Sequence, residues 1–337
     1  MTTRSSPGIA VGVVGAGSWG TTVAALTSAN ATTRLWARRP ELADEVNEQR
    51  TNTRYLPDFT LPEQLSATSD LADIVRTSDV IVMAVPSHGY REVAREVAEH
   101  LRPWVPIVTL SKGLERDTQQ RMSEVTIEEM PGHPVAVMTG PNLAKEIMAG
   151  QPAASVVAID DPRIAGALQR LFSTPTLRVY TNPDVVGCEV AGVVKNVIAI
   201  ASGMGLGMGF GDNTRATLIT RGLAEMTRLG LALGGELGTF AGLAGMGDLI
   251  ATCASTQSRN NTVGRRLGEG ESIDAIVESM NMVAEGVKSC PSVIDLASAA
   301  GVEMPISEQV VAVCHDGRSA KQALVALMDR DAGSELG

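Results

Sequence analysis

The sequence predicts an α/β protein. A doubly wound parallel sheet forms an N-terminal domain over residues 1–182, and an all-α C-terminal domain covers residues 183–337. Three observations predict this. Short apolar runs alternate with helical patterns through the first half. A Gly-x-Gly-x-x-Gly loop, Gly15 to Gly20, stands between the first apolar run and the first helix. Past Asp184 the alternation stops, and helical segments broken by Gly and Pro take over.

The 337 residues suggest about two domains of roughly 100–200 residues each. The chain is 44% hydrophobic but only 3% aromatic, so Ala, Val, Leu, Ile and Met must build the core, and its 34 glycines suit close helix packing. A net charge of −10 argues against a nucleic-acid partner, and an anionic substrate would need a local basic pocket. Cys188, Cys253, Cys290 and Cys314 form no CxxC pair and read as small buried hydrophobes in a reducing compartment. His88, His100, His133 and His315 lack metal-ligand spacing, and no metal site is expected. Met1 to Gly8 carries no apolar signal core. There is no unbroken apolar run of about 18 residues, so no integral membrane segment is expected and the location reads as cytoplasmic.

Ile9 to Val14 is a continuous apolar run, the pattern of a strand buried on both faces. In the loop that follows, Gly15 permits a tight turn and Gly17 lets backbone approach a pyrophosphate. Gly20 lets the helix from Thr21 pack on the sheet, and the helix N-terminus faces the anion. The second strand, Thr32 to Ala37, ends in Arg38-Arg39-Pro40, where an NAD-selective site places a carboxylate. Two guanidiniums there suit a 2′-phosphate and favour NADP(H); the alternative is a pair of solvated surface arginines. Further strands read over Asp79 to Val85, Ile107 to Leu110 and Val135 to Thr139, with helix over Gly89 to Leu101. Ala153 to Ile159 and Thr176 to Tyr180 extend the series. Ligands sit at the carboxyl ends of parallel strands, which marks Lys112 and the Thr139-Gly140-Pro141 turn.

The run from Gly187 to Gly203 is almost wholly apolar and follows Asn182 and Asp184, either of which can cap a helix. At about 100° per residue, Glu189 and Asn196 share one line of this helix, and Lys195 and Ser202 share another roughly 120° away. With no broad polar face the helix should be buried on most sides. A lysine there either snorkels to the edge or is a desolvated group able to exchange a proton near neutrality. Gly203 to Gly211 carries glycine at every second position and reads as a flexible loop rather than a second phosphate cradle. A long helix follows from Arg215 to Leu233. Asp248 then stands among small and apolar residues, where it needs a cation; Lys195 is a candidate. Ser258 and Arg259 open another helix, as an ordinary cap or as an anion site. Helices continue from Ile273 to Met328, and Asp331 to Gly337 reads as a polar tail.

Ordered motifs along nearly the whole chain now carry a resemblance. They are GAGSWG at 15–20, SKGLE at 111–115, GPNLAKE at 140–146, VVKNVIAIASG at 193–203, GDNTRATLITRGLAEM at 211–226, GLAGMGDLIATC at 242–253 and SRN at 258–260. The chain resembles bacterial NAD(P)-dependent glycerol-3-phosphate dehydrogenase. Thr139 and Asn142 depart from the serines of the SGPSFA pattern. The resemblance implies a Rossmann domain followed by an all-α domain, and reduction of dihydroxyacetone phosphate to sn-glycerol 3-phosphate for phospholipid synthesis. It implies NADP(H) or NAD(H) as cofactor and a homodimer. Carried over by motif, Lys195 is the acid/base, with Asp248 beside it as a second catalytic group. Lys112, Gly140, Lys195, Asp248, Ser258, Arg259 and Asn260 line the substrate. Gly15, Gly17, Ser18, Trp19, Gly20, Arg38, Arg39, Lys112, Ala144, Arg259, Val283 and Glu285 contact the cofactor.

The residue chemistry agrees independently. Ketone reduction needs a hydride donor held by the glycine loop and a proton donor at the developing alkoxide, which a lysine ammonium supplies. Two other readings use the same residues. One is a related two-domain dehydrogenase acting on a 3-hydroxy acid; the other is a non-enzymatic NADP(H) sensor, which leaves the buried lysine and aspartate without purpose.

Overall fold

The computed structural model describes residues 8–280 and 284–331. Val283 and the greater part of the expected polar tail lie outside them. The chain divides into two compact units, Met1–Glu189 and Val190–Gly337.

The first unit alternates strand and helix: β1 (Ala10–Val14), α1 (Ser18–Thr27), β2 (Thr32–Trp36), α2 (Pro40–Gln49), β3 (Ser66–Thr68), α3 (Leu71–Thr77) and β4 (Val80–Met83). It continues with α4 (Tyr90–Ala98), β5 (Ile107–Thr109), α5 (Met122–Glu129), β6 (Val135–Thr139), α6 (Ala144–Met148), β7 (Ala153–Ala158), α7 (Pro162–Phe172) and β8 (Leu177–Asn182). The strands form one sheet in the order β3-β2-β1-β4-β5-β6-β7-β8. Strand order therefore reverses between β1 and β4, where Val13 pairs with Val82. Along β4 the side chains alternate between two cores. Val80 and Val82 pack with residues of α1, α2 and α7, while Ile81 and Met83 pack with residues of α3, α4 and α5. Both faces are covered, which is why the strands read as unbroken apolar runs.

The sequence reading expected a parallel sheet; the sheet is mostly parallel, with one antiparallel pairing. β7 runs antiparallel to β6, and β8 follows β7 in parallel. The five-residue α6 does not carry the chain back across the sheet, so β7 returns directly beside β6. β3 escaped the sequence reading because Ser66-Ala67-Thr68 is too short and polar to show a period.

Helix α8 (Val185–Gly207) begins in the first unit and runs into the second. On its first turns Glu189, 5% exposed, accepts hydrogen bonds from Ser123 N–H at 2.8 Å and Arg121 Nη1 at 3.0 Å, and from the Ser123 hydroxyl. Burial pushes this carboxyl up, against the pull of Arg121 and Ser123. By length and composition α8 could cross a membrane, but 89% of its apolar window is buried in protein, as in a core helix.

The second unit continues with α9 (Asp212–Ala232), α10 (Leu237–Ala241), a π-turn over Leu243–Gly247, α11 (Asp248–Ala254), α12 (Arg259–Gly268) and α13 (Ile273–Ser279). Helices α14 (Glu285–Ala299), α15 (Pro305–His315) and α16 (Ala320–Met328) complete it. The glycine run from Gly203 is not a loop to its start, because α8 continues to Gly207. The reason is a close helix crossing. A Cβ on Gly203 would lie 2.2 Å from Asn261 O, and one on Gly207 would lie 2.0 Å from Arg265 O. On the facing helix α12, a Cβ on Gly264 would lie 2.0 Å from Ile200 O. Backbone packs on backbone, and that contact offsets the usual cost of helical glycine. Elsewhere in this unit α9 caps α15. Glu225, 2% exposed, accepts from Ile306 N–H at 2.6 Å, Ser307 N–H at 3.2 Å and Ser307 Oγ at 3.0 Å.

Candidate functional site

In the first unit the glycine loop joins β1 to α1 beside the end of β4. Gly15 has φ +120°, and a Cβ there would lie 2.6 Å from Ala84 O. A Cβ on Gly20 would lie 2.1 Å from Gly15 O, so this glycine seats α1 against the loop. Gly17 differs: nothing lies within 4 Å of where its Cβ would be. It is the N-cap of α1, which has no side-chain cap bond and no acidic residue in its first turn. Ser18 and Trp19 open the helix, and Trp19 Nε1 is buried without a hydrogen-bond partner. An uncapped helix start with open space at its glycine and an orphaned donor beside it fits a dinucleotide pyrophosphate. Past β2, Arg38 and Arg39 are both exposed, and Arg39 is the N-cap of α2.

β5 and β6 are parallel neighbours, so their carboxyl ends lie side by side. There Lys112 Nζ donates to Gly140 O at 3.0 Å. Gly140 has φ +126°, and a Cβ would lie 3.3 Å from Ser155 Cα. Asn142 Nδ2 donates to Ser155 Oγ at 3.2 Å, while Asn142 Oδ1 and Thr139 Oγ1 are buried without partners. Ala144 opens α6, which packs against α1. The structure thus gathers the glycine loop, Lys112, Gly140 and Ala144 along the carboxyl ends of the first unit's strands.

In the second unit Lys195 does not snorkel. It is 7% exposed, and its Nζ donates to Asp248 Oδ1 at 2.7 Å and to Thr252 Oγ1 at 2.8 Å. Asp248 is 1% exposed, and Thr252 Oγ1 lies 3.2 Å from Asp248 Oδ1 as a donor. Lysine, aspartate and threonine close a ring of hydrogen bonds that holds the ammonium at one point. Sequence reasoning missed Thr252, although it stands four residues after Asp248, on the same face of α11.

Ser258 caps α12, its Oγ accepting from Asn261 N–H at 3.2 Å. Arg259 is exposed in the first turn. Asn260 is 8% exposed; its Nδ2 donates to Asn196 Oδ1 at 2.9 Å, and its Oδ1 accepts from Gly286 N–H at 3.0 Å. This chain links α8 and α12 to the start of α14, where half-buried Glu285 is the first residue. A Cβ on Gly286 would lie 2.7 Å from Asn196 O, so the approach requires glycine. Asn196 is a second residue that sequence reasoning assigned no role. Its neighbour Lys195 was the only signal.

Two family models match. The N-terminal model of NAD-dependent glycerol-3-phosphate dehydrogenase covers residues 10–165, and the C-terminal model covers residues 184–325. The chain is 56% identical to glycerol-3-phosphate dehydrogenase (NAD(P)+) 2 of Sphingopyxis alaskensis, over 96% of this chain and 98% of that one. It is 50% identical to glycerol-3-phosphate dehydrogenase (NAD(P)+) of Mycobacterium avium, over 96% and 95%. The crystal structure of glycerol-3-phosphate dehydrogenase from Coxiella burnetii superposes with a TM-score of 0.92 at 36% identity, covering 96% of this chain and 99% of that chain. With both models matched in chain order and these relatives spanning nearly its whole length, the chain belongs to the NAD-dependent glycerol-3-phosphate dehydrogenase family.

Proposed function

We propose that this protein reduces dihydroxyacetone phosphate to sn-glycerol 3-phosphate with NADPH or NADH, and that Lys195 exchanges the proton. The observation that carries the proposal is the buried Lys195–Asp248–Thr252 ring on α8 and α11. A reduced nicotinamide cofactor held at the Gly15–Gly20 loop would supply the hydride for the carbonyl carbon. Lys195, as ammonium, stabilises the negative charge that grows on the carbonyl oxygen and passes it a proton, giving the alcohol. In the reverse direction the neutral amine accepts that proton. Asp248 supplies the counter-charge that makes a buried ammonium tolerable. Thr252 accepts a second N–H and fixes the direction of the group.

The remaining roles follow from residue chemistry. Gly15, Gly17, Ser18, Trp19 and Gly20 cradle the pyrophosphate, and Arg38 and Arg39 take a 2′-phosphate. Lys112, Gly140 and Ala144 extend the cofactor and substrate contacts. Ser258, Arg259 and Asn260 offer the start of α12 and a guanidinium to the substrate phosphate, and Val283 and Glu285 contact the cofactor. The product feeds the glycerol backbone of phospholipids. The working form is a homodimer in the cytoplasm. The test is initial-rate oxidation of NADPH and of NADH with dihydroxyacetone phosphate and, separately, with 2- and 3-oxo acids that lack phosphate. Oxidation with the phosphorylated ketone alone is the expected result. Faster oxidation with an oxo acid would transfer the protein to the hydroxy-acid reading.

A further inference from the structure

The segment that carries Lys112 is held from both sides. Upstream, Ser111 Oγ donates to Val85 O. Downstream, residues 114–121 fold into a closed turn. Leu114 bridges to Arg121, Glu115 N–H donates to Gln120 O at 2.9 Å, and Gln119 N–H donates to Glu115 O at 2.9 Å. Gln119 accepts a positive φ of 57° to close it. Glu115 stands at the neck of this turn, and its carboxylate meets Arg91 in a two-pronged fork. Arg91 Nε donates to Oε1 at 2.7 Å and Nη2 donates to Oε2 at 2.7 Å. The same guanidinium reaches Gln120 Oε1 at 2.7 Å, across the turn, and Glu129 on α5. Thr118 Oγ1 adds a donor to Glu115 at 2.6 Å. Arg91 follows Tyr90, which is 1% exposed, at the start of α4, so the fork is anchored on the core.

This arrangement is unlike a surface ion pair. The Arg91 and Glu115 side chains are 16% and 19% exposed. The Arg91 hydrogen bonds hold the Glu115 carboxyl below its usual range. A planar fork also fixes direction, which a lysine at the same place would not.

We infer that Arg91 and Glu115 are positioning residues for the reaction: their fork sets the 111–121 segment so that Lys112 points at Gly140 and the ligand beside it. The inference rests on the reading that Lys112 touches cofactor or substrate. Positioned groups are sensitive to small displacement, and a shift of about 1 Å can cost on the order of a hundredfold in rate. A residue that acts only by supporting the fold would lower activity whether or not Lys112 is present. One that acts through Lys112 loses its effect once Lys112 is gone.

The test is a double-mutant cycle on kcat/KM for dihydroxyacetone phosphate with NADPH. It uses Glu115→Gln, Lys112→Ala and the pair, with Arg91→Lys as a second entry into the fork should Glu115→Gln fail to fold by circular dichroism. Lys112→Ala alone reports on the reading beneath; wild-type kcat/KM in that variant would overturn the role of Lys112 itself. Where Lys112→Ala is impaired, Glu115→Gln is expected to lower kcat/KM by roughly tenfold or more in the wild-type background. In the Lys112→Ala background it should change kcat/KM by less than about twofold, the usual scatter of independent sites. Equal losses in both backgrounds, or wild-type kcat/KM for both Glu115→Gln and Arg91→Lys, would overturn the positioning role.

Discussion

Gly17 in the first unit and the glycines of the α8–α12 crossing in the second do opposite work. At Gly17 the space a side chain would fill is open, with nothing within 4 Å, and it lies at an uncapped helix start. At Gly203, Gly207 and Gly264 the same space is already taken by the backbone of a crossing helix, 2.0 to 2.2 Å away. The first absence leaves room for a ligand and the second lets the fold close. Charge is divided in the same way. The first unit offers exposed Arg38 and Arg39, which cost little to keep charged, while the second buries Lys195 against Asp248. Binding a large anion calls for accessible donors. Moving one proton calls for a donor fixed in place and shielded from water.

The sharpest way to break this comparison is Lys195→Ala. Turnover should fall by at least about a hundredfold, the usual contribution of general acid catalysis. NADPH affinity should hold, because the glycine loop proposed to hold the pyrophosphate belongs to the other unit. Lys195→Arg should not rescue turnover, since a guanidinium releases no proton near neutral pH. Stopped-flow rates and NADPH titration of folded variants decide it; an alanine variant within about tenfold of wild type would return the lysine to a structural role.

The glycines are separated by two variants. Gly264→Ala places a Cβ 2.0 Å from Ile200 O, a backbone atom that cannot rotate away. It should cost about 1–3 kcal/mol or more and lower the thermal midpoint by several degrees. Gly17→Ala should melt as wild type does and bind NADPH more weakly. Reversed phenotypes would show that the two kinds of glycine had been exchanged. A subtler effect is expected at the end of β2. Replacing Arg38 and Arg39 by alanine should raise KM for NADPH by on the order of tenfold, the worth of a charge-assisted contact. KM for NADH should move much less, and equal effects on both would remove the 2′-phosphate role.

A further effect is read as stability against pH and concerns a buried carboxyl, Glu225. Glu225 caps α15 through backbone and serine donors, and burial raises its carboxyl to about 7 from 4.5, opposed by those hydrogen bonds and by Arg228. A carboxyl raised in the folded state binds its proton more tightly there than when unfolded. Its contribution to stability is therefore complete below about pH 4.5 and is lost as pH rises through about 7. Urea unfolding at pH 5, 6, 7 and 8 should show wild type losing stability relative to Glu225→Gln, by at most about 1.4 kcal/mol per pH unit. A constant difference across that range would show that Glu225 does not titrate there.

The parallel strands were legible because burial on both faces leaves only apolar residues, as in Val80 to Met83. The glycine loop was legible because its spacing, its strand and its helix are all local. Helix α8 was legible as a buried helix, and Lys195 stood out by being charged within it. The reversal of β7 was not legible, since an apolar run has no direction. Nor was the end of α8, because whether Gly203 and Gly207 break a helix or admit one depends on a partner some sixty residues further along the chain.

What the sequence alone determined, then, is what neighbouring residues decide together: the alternation of strands and helices, the glycine turn at Gly15 to Gly20, and the presence of a lysine and an aspartate in apolar surroundings. Tertiary structure alone decided which distant groups share a hydrogen bond. Thr252 completes the lysine ring, Asn260 meets Asn196 and Gly286, and Arg91 forks onto Glu115. A hydrogen bond acts over about 3 Å and only in a narrow range of directions. No residue spacing encodes such a meeting until the packed helices and strands have brought the two side chains within reach.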